Sequence, residues 1–189
     1  GSCLAVLQAA IFWCAARAAA QAPDISARLE VCTTCHGDEG LAADPAVPVI
    51  SGQEFYYLYV QLKDYAAGRR QNEVMSAMAA DLSKDEMKAL AEHFSKQPWP
   101  RLAIADASEA DKARGSSAAG AGQCPQCHLG GYNGNSRVPR MAGQKPSYLE
   151  ATMLDFKYRR RNNAPDMLAL LESYSEEDIA AMAHFIAGL

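Results

Sequence analysis

The chain has 189 residues, a length that accommodates one or two domains. It carries six cysteines, four histidines and a net charge of −4, without the basic surplus that nucleic-acid binding draws on, so no nucleic-acid partner is expected. No strand alternation, phosphate-binding glycine loop, nucleophile motif or zinc spacing stands out, and no catalytic residue is assigned.

Residues 4–20 form a short apolar run followed by small residues, ahead of Gln21, Ala22 and Pro23. This pattern reads as the apolar core and alanine-rich cleavage zone of a secretory signal, so residues 1–23 are expected to be a signal peptide. Arg17 cuts the run short of the roughly 20 apolar residues that a membrane span needs. An uncleaved N-terminal anchor, giving membrane attachment, is the alternative. Cys3 and Cys14 fall in this segment.

Residues 25–35 read as a helix that runs into Cys32-Thr-Thr-Cys35-His36. Cys-x-x-Cys-His is a c-type haem attachment motif. Two thiols three positions apart can each add across one haem vinyl group, and the adjacent imidazole then faces the iron. Residues 54–67 form a second expected helix, with Phe55, Leu58, Leu62 and Tyr65 at helical spacing and Gly68 as its stop. Residues 84–95 form a third, opened by a Ser83–Glu86 capping box and burying Met87, Leu90, Ala91 and Phe94 on one face. Pro98 and Pro100 end it and mark the domain boundary. Trp99, apolar within this linker, is read as a staple between domains.

The pattern then repeats. Residues 108–123 read as a helix, weakened by glycines, that leads into Cys124-Pro-Gln-Cys127-His128. Residues 147–158 follow, and residues 176–187 close the chain behind a Ser175–Asp178 cap. The fold class is all-α, with domains at residues 24–97 and 108–189 and a linker at 98–107.

The repeat also selects the far-side iron ligands. Met75 lies 39 residues after His36, and Met167 lies 39 residues after His128. Met78 aligns with Leu170, so it fails the test, and the other five methionines are read as core filler. Pro48, Gly52 and Gln53 recur as Pro139, Gly143 and Gln144; Tyr57 recurs as Tyr148, and Arg69-Arg70 as Arg160-Arg161. His93 and His184 are out of register and are read as non-ligands. Thioether plus imidazole is an electron-transfer ligand set. It leaves the iron no open position, whereas a peroxidase needs one.

On these residues the chain resembles di-haem class I cytochromes c of the cytochrome c4 type, over residues 24–189. It is also similar to the di-haem cytochrome subunit of flavocytochrome c sulfide dehydrogenases. The resemblance implies two tandem class I cytochrome c domains, each wrapped round one covalent haem, and therefore two covalently attached haem c groups. Cys32, Cys35, Cys124 and Cys127 would hold them. His36 with Met75, and His128 with Met167, would ligate the irons. Pro48 and Pro139 would offer carbonyls to the ligand histidines. Tyr57, Tyr148, Gln53 and Gln144 are candidates for bonding haem propionates, or simply for helix-face packing.

The implied function is carriage of single electrons between periplasmic or membrane respiratory partners. A quinol-oxidising complex or a dehydrogenase would be the donor and a terminal oxidase the acceptor. The alternative is a fixed electron-transfer subunit of a periplasmic dehydrogenase with a flavin, molybdenum or quinoprotein partner. Charge is unevenly placed: residues 24–100 carry 12 acidic and 7 basic side chains, and residues 124–161 carry 2 acidic and 7 basic. Arg159–Arg161 would then either steer a partner or cap a helix end and pair with propionates.

Overall fold

The computed structural model describes residues 22–189; the proposed signal segment, with Cys3 and Cys14, lies almost wholly outside them. Nine helices make up the described chain: α1 (Ser26–His36), α2 (Phe55–Ala66), α3 (Glu73–Ala80), α4 (Lys84–Ser95), α5 (Glu109–Ala121), α6 (Cys124–His128), α7 (Pro146–Lys157), α8 (Pro165–Leu171) and α9 (Glu176–Ala187). Strand pairing among the described residues is limited to one isolated bridge, Asn135 with Val138. No helix among them is long and apolar enough to cross a membrane.

The helices begin where side chains satisfy their first N–H groups. Asn72 accepts from the Met75 backbone N–H at 2.9 Å and opens α3. Ser83 and Glu86 form the expected reciprocal box on α4, with Ser83 Oγ accepting from Glu86 N–H and Glu86 accepting from Ser83 N–H. Ser108 Oγ and Ser175 Oγ accept from the Asp111 and Asp178 N–H and cap α5 and α9 without the reciprocal bond. Prolines open α7 and α8, where a missing N–H costs nothing.

In the first half, α2 packs on α3 and α4. Met87, Leu90, Ala91 and Phe94 of α4 are buried, as the periodicity requires. In the second half, α9 packs on α5 and α7, and its Ile179, Met182, Ala183 and Ile186 enter a core with Leu149, Met153, Phe156 and Leu171. The glycine-rich stretch does not break α5. Gly115 lets α5 approach α9: a Cβ there would lie 2.2 Å from the Ala181 carbonyl oxygen. Small residues at this crossing serve backbone proximity, which is why α5 has so weak an apolar stripe.

Three of the core-filler methionines, Met87, Met153 and Met182, are buried, and Met141 packs partly buried against the second core. Met78 departs from the expectation: it is exposed, on the outer face of α3.

The two halves meet through matching residues. Gln144 takes the Val49 N–H on Oε1 and donates Nε2–H to the Val49 carbonyl, both at 2.9 Å. Gln53 treats Arg140 identically, at 2.7 and 2.9 Å. Since Gln53 recurs as Gln144, and Val49 occupies the place of Arg140, the contact has an internal two-fold character. Lys145 adds bonds to the carbonyls of Ala42 and Asp44, and Ser147 one to Pro45. Trp99 sits against both halves, its backbone under Gly52 and its indole beside Gly143. The Arg140 guanidinium lies 4.7 Å over the ring. That placement is a staple.

Candidate functional site

The last turn of α1 carries Cys32, Cys35 and His36. The short helix α6 carries Cys124, Cys127 and His128. In a helix, residues three and four apart share a face, so each motif presents two thiols and an imidazole together. All four cysteines are free thiols; Cys32 and Cys124 are partly buried, while Cys35 and Cys127 are exposed. Burial pushes the Cys32 and Cys124 thiols up from their ordinary range.

Both imidazoles are buried. His36 Nδ1 lies 3.2 Å from the Pro48 carbonyl oxygen, and His128 Nδ1 lies 3.1 Å from the Pro139 carbonyl oxygen. A carbonyl can only accept, so Nδ1 carries the hydrogen in each ring and Nε2 keeps its lone pair. Burial lowers the pKa of both histidines; the Pro48 and Pro139 bonds oppose that shift without reversing it. Each ring is thus held neutral and oriented, the state a metal-binding imidazole needs.

Met75 and Met167 fall at the third position of α3 and α8. Both are partly buried, and Met167 packs on the core of the second half.

The donor set fits haem c. Each half pairs two unbridged thiols with a neutral, oriented imidazole, and each carries one half-buried thioether on a short helix, α3 packed on α2 and α8 packed on α7. Among the described residues, no cluster of three or more histidine, cysteine or carboxylate side chains is placed to hold a bare metal ion. A porphyrin's own nitrogens would supply what the protein does not.

A second polar cluster lies between the halves. Arg70 and Arg161, which the repeat equates, are both buried. Arg70 donates to Tyr148 at 3.0 Å and Gln61 at 2.8 Å. Arg161 donates to Gln61 at 3.0 Å, to Asn163 at 3.0 Å and weakly to Tyr57. Asp64 is close by, but its oxygens are taken by Arg69 and Asn163. Burial would raise the Tyr148 phenol, yet the Arg70 and Arg161 charges overcome it and lower its pKa.

Two sequence expectations are corrected here. Gln53 and Gln144 do not wait for propionates, because their amides are consumed by the opposite half's backbone. Arg159–Arg161 is not one surface patch: Arg159 and Arg160 pair outward with Glu172 and Asp155, while Arg161 turns inward. The repeated Arg-Arg pairs carried the signal for the inward arginine. Gln61 and Asn163 have no sequence mark, since nothing in an isolated glutamine or asparagine tells which way it faces.

No family model matches the chain. Individual relatives do. Cytochrome c4 of Azotobacter vinelandii is 31% identical over 193 residues, covering 92% of this chain and 91% of that protein. A protein of Thiomonas intermedia named thiosulfate dehydrogenase electron acceptor is 36% identical, covering 82% and 75% respectively. The crystal structure of reduced recombinant cytochrome c4 from Pseudomonas stutzeri superposes with a TM-score of 0.77 at 29% identity, covering 89% of this chain and 100% of that one. With two haem-attachment motifs on a doubled all-helical fold and relatives that span it, the chain belongs to the cytochrome c4 family of electron-transferring c-type cytochromes.

Proposed function

We propose that the chain is a periplasmic carrier holding two haem c groups, one in each of the domains 24–97 and 108–189. Cys32 and Cys35 attach the first, and Cys124 and Cys127 the second. His36 and Met75 ligate one iron, and His128 and Met167 the other. Bound haem supplies a one-electron iron couple. The protein's part would be to orient the histidines through Pro48 and Pro139, to hold the iron with a thioether from Met75 or Met167 as well, and to keep water off both.

The observation that carries this reading is the duplicated, buried histidine–carbonyl pair beside two free thiols. Arg70 and Arg161 add support. Neither forms an ion pair among the described residues, and an uncompensated buried charge costs on the order of several kcal/mol. Their contacts to Tyr148, Gln61 and Asn163 are hydrogen bonds, with no carboxylate among the described residues paired to either. Haem propionates, when the groups are bound, would supply negative charge to both arginines.

The donor would be a quinol-oxidising complex or a dehydrogenase, and the acceptor a terminal oxidase. A potentiometric titration of the holo-protein should take up two electrons per chain in one-electron steps. The reduced form should not bind carbon monoxide, because neither iron has an open position. Uptake of one electron, or carbon monoxide binding at one haem, would overturn the assignment.

A dedicated dehydrogenase subunit is the second reading, favoured by the 36% identity to a thiosulfate dehydrogenase electron acceptor. It predicts a catalytic chain co-eluting with the protein in fixed ratio, whereas a free carrier elutes alone.

A further inference from the structure

Each domain's interface glutamine reaches the proximal histidine of the other domain through a single peptide unit. The Pro48–Val49 peptide bonds at both ends. Its carbonyl accepts from His36 Nδ1 at 3.2 Å, and its N–H donates to Gln144 Oε1 at 2.9 Å. The Pro139–Arg140 peptide repeats the arrangement, with the carbonyl accepting from His128 Nδ1 at 3.1 Å and the N–H donating to Gln53 Oε1 at 2.7 Å.

The amide orientations are fixed. Gln144 Oε1 also accepts the Lys145 N–H, and Gln53 Oε1 the Glu54 N–H, while each Nε2 faces a carbonyl. A flipped amide would set donor against donor. Gln53 and Gln144 are 4% and 2% exposed, and Val49 is 1% exposed, so solvent does not screen the chain of bonds.

Peptide resonance couples the two ends. A hydrogen bond given by the N–H places more negative charge on the carbonyl oxygen, and linked bonds strengthen one another in a dry setting. A better acceptor pulls harder on the histidine Nδ1–H and enriches Nε2. Outer partners of this kind raise ligand basicity. A more basic imidazole favours the oxidised iron, so the bond lowers the reduction potential.

We propose that Gln144 tunes the donor strength of His36, and Gln53 that of His128, so that each domain sets part of the potential of the other's haem. The two glutamines are positioning residues, acting through the peptide. The inference rests on His36 and His128 being the proximal ligands.

The test uses the full holo-protein. The two haem potentials are measured by spectroelectrochemical titration and assigned by NMR, and the imidazole N–H resonances are followed in the reduced state. Gln144→Leu should raise the first domain's potential, leave the second's in place, and move the His36 N–H resonance upfield. Gln53→Leu should do the reverse. Gln144→Glu keeps an acceptor for the Val49 N–H and should hold the His36 N–H resonance at or downfield of its normal position, and it carries the test if the leucine variant fails to fold. Ser147→Ala removes a bond to Pro45 across the same interface without touching either peptide. It should move neither potential nor either resonance. Equal movement of both potentials in each leucine variant, movement confined to the mutated domain, or no movement with both haems intact would overturn the relay. Absence of ligand-histidine N–H resonances from the unmutated protein would instead overturn the ligand assignment beneath it.

Discussion

Met75 and Met167 hold the same place in two short helices, and each lies 39 residues beyond a buried histidine. A thioether opposite imidazole raises the potential relative to two nitrogen ligands. Met75→His should therefore lower the potential of one haem and remove about half of the near-infrared thioether–iron absorbance. An unchanged band would remove Met75 from the ligand set. Met78→Leu, on an exposed side chain, should leave the band intact. The attachment motif stands out in the chain because haem chemistry dictates both residue types and spacing. Met75 and Met167 are singled out only by the duplication, since a single methionine resembles core filler. The propionate reading of Gln53 and Gln144 failed because their roles depend on facing the other half, and orientation across an interface leaves no periodic trace in the chain.

At the scale of elements, the crossing of α5 and α9 depends on absent side chains. Gly115→Ala improves helix propensity by about 1 kcal/mol. Its Cβ would sit 2.2 Å from the Ala181 carbonyl oxygen, a backbone atom that cannot swing aside. Overpacking of this kind costs about 1–3 kcal/mol, so a net loss is expected in equilibrium denaturation of the holo-protein. A stabilised variant would contradict the packing described. On α4, Ser83→Ala should cost about 1 kcal/mol through the lost cap. The Ser83 backbone N–H, then its hydroxyl and Arg28, hold the Glu86 carboxyl below its usual range. A carboxyl depressed in the folded state stabilises above its unfolded pKa, and that contribution fades as pH falls through the folded value. Glu86→Gln should flatten the acid limb of the stability profile below pH 4.5. The long amphipathic helices α2, α4, α7 and α9 were readable because several turns of apolar spacing accumulate. Helices α3 and α8 span 8 and 7 residues, too few for that signal, although Asn72 and Pro165 mark their starts.

In the whole molecule, two similar halves face one another across buried polar contacts, with Trp99 between them. Charge is unevenly placed between them: residues 24–100 are acidic, and the segment from the second attachment motif to Arg161 is basic. Arg159 and Arg160 remain outside and available to a partner's field, whereas Arg161 belongs to the interface. Arg159→Glu with Arg160→Glu should slow electron exchange with an acidic partner at low ionic strength and converge on the unmutated rate at high salt. Identical rates at low salt would show that this face steers nothing. The doubling was plain from the repeat, but the contact between the halves was not, because it depends on matched surfaces rather than on either repeat alone.

Each half is proposed to hold one haem between a histidine and a methionine. The most direct measurement is haem quantified per chain, with visible and near-infrared spectra of the oxidised and reduced holo-protein. Two covalent haems per chain, both low-spin and both contributing the thioether band, are predicted. One haem per chain, a high-spin component, or a band of single-haem intensity would contradict it.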